Sequence, residues 1–154
     1  MSSRPIFEKL GKMSKKKLDN LEYEHNQHLE RFRIAKEGKV QELQRLKNRH
    51  EDLKIQAMRD KEISMPLAMS KAMEMRHVKA EELIIRSVIS VIRSNQFYHR
   101  LMLVLIQDTK AGVDYDPDRV KNLIPKEFTD MVSESILSTN LEGLLSDLAK
   151  EVET

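Results

Sequence analysis

An all-α fold is predicted by three features of this chain. From Ser14 to Met65 there is no proline and one glycine, Gly38, while apolar residues recur at intervals of three and four. Charged residues make up 34% of the chain, which suits helix surfaces better than a sheet sandwich. Aromatic residues are only 5%, with no tryptophan. At 154 residues and 40% hydrophobic content, the chain fits one domain, or a small domain with an extended arm.

Residues 1–13 read as a basic flexible tail. Arg4, Lys9 and Lys12, with Lys15, Lys16 and Lys17 just beyond, oppose only Glu8. Residues 14–65 read as one long coiled-coil-like helix. Its stripe runs through Leu18, Leu21, Leu29, Phe32, Val40, Leu43, Leu46, Leu53 and Ala57, with charges filling most gaps, and such a stripe must find another helix to cover it. Positions 18, 21, 25, 28, 32, 36, 40, 43, 46, 50, 53 and 57 advance by about 3.5 residues per step, the spacing of a left-handed supercoil. His25, His28, Lys36 and His50 occupy seam positions, and consecutive steps of four beside Gly38 read as a stutter.

Pro66 stops this helix near Met65, because proline disfavours helical geometry in the residue before it. Residues 66–154 then form a helical domain. Its first helix spans about 67–107, opened by good formers such as Ala68, Met69, Ala72 and Glu74. Gly112 and short polar residues mark a loop, and Asp116 before Pro117 reads as an N-cap with proline at the first helical position of a helix at about 117–123. Pro125 opens another over 125–137. Thr139 and Glu142 have capping-box spacing ahead of a last helix over 140–152. Ile85, Val88, Ile92 and Leu105 are the expected core.

A fifty-residue helix is roughly 75 Å long, against a radius of gyration near 15 Å for a compact chain of this size. The remainder of the chain is therefore not expected to cover the first helix. Pairing with a second copy, docking along another protein, or folding back at Gly38 are the three solutions, in that order of preference.

The net charge of +2 hides an asymmetry: residues 1–65 carry +5 and residues 66–154 carry −3. Lys79, Arg86, Arg93 and Arg100 recur every seven residues, so they share one side of the second helix. Together with Lys9, Lys12, Lys15, Lys16 and Lys17 they are candidate contacts for nucleic acid or an acidic partner, by an attraction that weakens with salt. The plainer reading is a solvated polar face. Met65, Met69 and Met73 at helical spacing suit either core packing or an adaptable partner surface.

Other site chemistry is thin. His25 and His28, spaced i, i+3 near Glu22 and Glu24, are at most half of a zinc site, though histidines in a seam would make pairing pH-sensitive. Asp114, Asp116 and Asp118 alternate like a calcium loop, but Arg119 stands where that loop needs glycine and Pro125 where it needs glutamate. There is no cysteine, glycine-rich phosphate loop, G-x-S-x-G or H-E-x-x-H. No enzyme activity, catalytic residue, cofactor or metal is expected. Residues 83–106 are the most apolar stretch, but Arg86, Arg93, His99 and Arg100 interrupt it, so a buried helix is expected and no membrane span. With no apolar leader and no cysteine, a cytoplasmic address is expected. The function these readings point to is helical assembly, as a scaffold or adaptor acting through the first helix in a homo-oligomer or with a helical protein partner. The alternative is an oligomeric nucleic-acid-binding protein using the basic tail and the arginine row.

Overall fold

The computed structural model describes residues 4–113 and 116–124 and, further on, Gly143, Ser146, Asp147, Ala149 and Lys150. The fold is all-α: α1 (Arg4–Gly11), α2 (Lys15–Ile63), α3 (Met65–Ala111) and α4 (Pro117–Lys121) account for nearly all of the described residues, and none is a strand. The helix expected over 125–137 lies outside the described residues. Of the one expected over 140–152, the five described residues are all helical.

Helix ends follow from local chemistry. Ser14 caps α2 by accepting the Lys17 backbone N–H at 3.2 Å, and Ser64 stands alone between α2 and α3 with its hydroxyl 3.5 Å from the Leu67 N–H. Pro66 therefore sits in the first turn of α3, where a missing N–H costs nothing. α3 ends in a Schellman turn: Gly112 has φ +69°, its N–H reaches Thr109 O at 3.2 Å, and Val113 N–H reaches Asp108 O at 2.9 Å. Asp116 caps α4 by accepting from the Asp118 N–H at 3.0 Å, with Pro117 first in the helix.

The chain packs as two units, Met1–Glu30 with Gln96–Thr154, and Arg31–Asn95. This partition cuts across the division at Pro66 that the sequence suggests. Proline in a first turn permits a new helix to start one residue after the old one ends, so each long helix contributes to both units.

In the first unit, Ile6 and Leu10 of α1 are fully buried with Leu18 of α2, Leu101, Met102, Leu105 and Ile106 of α3, Val120 of α4, and Ala149. Phe7, Met13, Leu21, Phe97 and Tyr98 pack around this cluster. The expectation of a flexible tail over 1–13 is thereby corrected. Ile6, Phe7 and Leu10 form a short apolar stripe under the basic residues, and burying it against α3 outweighs the solvation of the flanking lysines.

In the second unit the paired parts of α2 and α3 run antiparallel, with Arg49 3.2 Å from Glu74 across the two helices. Leu53, Ala68, Val78, Ile85, Ile89 and Ile92 are buried between them. Along α3 the buried or half-buried positions 75, 78, 82, 85, 89 and 92 alternate steps of three and four, which is the strict heptad spacing of a coiled-coil seam. Glu82 occupies one of these positions at 2% exposure, held by Lys79 at 3.4 Å. α2 runs through Gly38 without a break. No helix among the described residues is long and apolar enough to cross a membrane.

Candidate functional site

Three sets of residues carry whatever chemistry the chain offers: the stripe of α2, the basic rows, and a histidine cluster. Leu18 and Leu53 of the stripe are buried, while Leu21, Leu29, Phe32, Leu43 and Leu46 are half-buried. Val40 is 47% exposed and stands off the seam. Half-buried Lys39 takes the seam position instead, its ammonium turned outward to Glu42 at 3.2 Å. With Lys39 in place of Val40 the steps alternate three and four through Lys36, Lys39, Leu43 and Leu46, so the stutter expected beside Gly38 is absent. A lysine's four-carbon stem covers a seam as well as a small apolar residue does while its charge stays in water. The expectation that the remainder of the chain leaves this helix uncovered is also corrected within each unit, where α3 packs on the part of α2 that belongs to that unit.

The basic residues are divided between the two units. Lys9 donates from Nζ to the Ala149 carbonyl and is spent on the first unit's own fold. Lys12, Lys15, Lys16 and Lys17 are exposed on that unit. Lys79, Arg86 and Arg93 belong to the second unit and Arg100 to the first. Lys79 is tied to Glu82, while Arg86 is exposed with no carboxylate partner among the described residues. α2 carries a matching row at the same seven-residue spacing, Lys47, Lys54 and Lys61, which the sequence reading did not single out. Lys54, Lys61, Met65 and Ala72 line one groove, so this row of α2 and the Ala72, Lys79, Arg86 row of α3 lie on the same flank of the second unit.

That groove, of about 340 Å³, is the other feature missed from sequence. It is open and apolar, with Ala57, Met58, Ala68, Met69 and Met75 completing its lining. Around it Ile63, at 81% exposed, and Met58, Met65, Met69 and Met73 all stand more than half exposed. Leu83, Ile84 and Val91 of α3 are likewise exposed, although they stand next in sequence to the buried Glu82, Ile85 and Ile92. Strict heptad spacing explains the split, because it turns these three away from α2.

The histidine cluster lies in the first unit. His25 of α2 and His99 of α3 are buried, with their Nδ1 atoms 2.8 Å apart. One neutral ring must donate N–H to the lone pair of the other, so the contact holds a single proton. His28 stacks on His99 with centroids 4.8 Å apart and planes at 15°, and Tyr98 meets His99 edge-on at 4.9 Å. Burial, and next the charge of His28, pushes His25 below its ordinary value. His99 is driven down to about 4 by burial, reinforced by His25 and His28. Nearby, Lys110 bonds Asp19 and lies 3.8 Å from Glu22. The hydrogen bond to Lys110 lowers the Asp19 carboxyl, and Asp19 in turn raises Lys110. His99 was not paired with His25 and His28 in the sequence reading, although it continues the buried three-and-four spacing of α3 through Gln96. Among the described residues no group of three or more histidines and carboxylates is placed to hold a metal ion. The arrangement suits a packed pair of neutral rings, His25 and His99, that resists protonation.

No protein-family model, curated protein or solved structure matches this chain.

Proposed function

We propose that this chain is a non-enzymatic helical interaction protein, a scaffold or adaptor, which meets its partners through the outer faces of its paired helices. One observation carries the reading. Leu83, Ile84 and Val91 stand exposed on α3 opposite its seam, a position where a helix that ends its contacts at one neighbour normally carries polar residues. A third helix laid on that face would bury them, each at about 1.5–3 kcal/mol when fully covered. A copy of the same chain is the simplest source, and a helical partner protein is the next.

Mass in solution tests the reading, measured by light scattering behind a sizing column at low and high salt. The expected result is a mass at least twice the 18.0 kDa chain, insensitive to salt, that falls to one chain in the triple variant Leu83→Gln, Ile84→Gln, Val91→Gln with unchanged helix content. A wild-type monomer removes self-assembly and leaves the adaptor role. A complex unaffected by the triple variant removes this face.

A second reading is favoured by the paired cation rows of the second unit, with Lys47, Lys54 and Lys61 on the same flank as Lys79 and Arg86. In this alternative the protein binds nucleic acid along that flank. Binding to a duplex that weakens steeply between about 50 and 200 mM salt, and is lost when these residues become Glu, is the expected signature.

A further inference from the structure

The groove near Ser64 has a shape and a charge that together specify an occupant. On α2, positions 54, 57, 58 and 61 face it, and on α3, positions 65, 68, 69 and 72 face it. Each set is an i, i+3, i+4, i+7 stripe, the face that one helix turns toward another. Two antiparallel helices presenting such stripes to the same side leave the furrow that a third helix fills. Ala57, Ala68 and Ala72 keep it deep, because none has a side chain beyond Cβ. Met58, Met65 and Met69 wall it with unbranched side chains that adapt to an irregular surface.

The rim is basic. Lys54 and Lys61 are exposed, and among the described residues neither has a carboxylate partner. The row continues to Lys47 on α2 and to Lys79 and Arg86 on α3. The whole unit Arg31–Asn95 carries 15 Lys+Arg against 9 Asp+Glu, a charge of +6, while the other unit carries −4. A phosphate backbone would use the cations but gain nothing from an apolar floor walled by methionine. An occupant that uses both has apolar anchors along one side and carboxylates on its flanks.

We infer that the groove lined by Lys54, Ala57, Lys61, Met65, Met69 and Ala72 is a docking site for an acidic amphipathic helix of a partner protein. Its helix lies along α2 and α3 for about three turns and sets apolar anchors at i, i+3 or i+4, and i+7 between the alanines. Its carboxylates meet Lys54 and Lys61. The inference rests on the interaction-protein reading but uses a different stretch of the helix pair, since Leu83, Ile84 and Val91 lie outside the groove, so the two fail separately.

The test uses the full chain and a fluorescein-labelled designed peptide of about 20 residues, long enough to be helical in isolation, with a leucine stripe flanked by glutamates. A twin peptide carries lysine at every glutamate. The acidic peptide is expected to bind by fluorescence anisotropy, and the lysine twin is not. Ala72→Glu, an exposed position whose change leaves the seam intact, and the pair Lys54→Glu, Lys61→Glu are each expected to weaken binding at least about tenfold. The triple change Lys15→Glu, Lys16→Glu, Lys17→Glu, which alters charge on the other unit, is expected to leave it unchanged. Equal weakening by that triple change, equal binding of the twin, or no binding of the acidic peptide overturns the inference. Duplex DNA competing for the same site with the same dependence on Lys54 and Lys61 assigns the flank to nucleic acid and also overturns it. So does loss of wild-type self-association in Ala72→Glu, which would make the occupant a second copy. If the peptide fails while the Leu83, Ile84, Val91 variant still dissociates the complex, only the groove assignment falls.

Discussion

His25 of α2 and His99 of α3 meet ring nitrogen to ring nitrogen, and the contact has a pH signature of definite sign. Both groups lie below their ordinary value in the folded chain, His99 at about 4, so the native state binds fewer protons than the unfolded one below about pH 6.5. The neutral cluster is therefore fully stabilising above that pH and loses its contribution as pH falls toward about 4. Protonating both rings would set two N–H donors against each other across 2.8 Å. His28 and Tyr98 pack against the same rings, while Asp19 and Glu22 on α2 are engaged by Lys110. Thermal melts followed by circular dichroism should show Tm dropping between pH 6.5 and 5, above the range where carboxylates titrate. A His25→Gln, His99→Gln variant should lack that drop, and a parallel decline in both proteins would refute the assignment.

At the scale of the element, Gly38 is the weakest point of α2. It sits in the middle of a 49-residue helix, is exposed, and a Cβ placed there meets nothing within 4 Å. Gly38→Ala should stabilise the protein by roughly 0.5–1 kcal/mol, read as a shift of the urea midpoint at constant slope. α2, α3 and α4 were legible in the sequence, because Pro66, Gly112 and the Asp116-Pro117 pair act through local backbone chemistry that tertiary packing rarely overrides, whereas α1 was read as a tail. Their pairing was less so. Lys39 outcompetes Val40 for the seam through its aliphatic stem, and Glu82, Gln96 and His99 interrupt the apolar pattern of α3 at positions that are nonetheless buried. Of the expected core, Ile85, Ile92 and Leu105 are buried, whereas Val88, one residue off the strict heptad spacing, is half-buried. The groove needs both helices at once and has no signature in either alone, although the run of methionines marked its neighbourhood.

Across the whole molecule, the two packing units differ in what they stake on pH and charge. The unit built from Met1–Glu30 and Gln96–Thr154 contains the histidine cluster, the fully buried core and a charge of −4. The unit Arg31–Asn95 contains the half-open seam and the positive flank. As pH falls from 7 to about 5, native-state hydrogen exchange should show amides of residues 15–30 and 96–111 losing protection, while those buried in the seam near Leu53 and Ile85 keep theirs. Uniform loss throughout would mean the units do not open independently. Ser64, the single residue between α2 and α3, has a kinetic consequence. Helical turns on either side of it are neighbours in sequence, so their first contacts close almost no loop, whereas His25 and His99 are 74 residues apart. Assembly from Ser64 outward lets each turn shorten the loop the next must close, like a zipper drawn from its fixed end. The core that holds α1, α3 and α4 together is then the last part to form, and the first to be missing from a chain interrupted during synthesis.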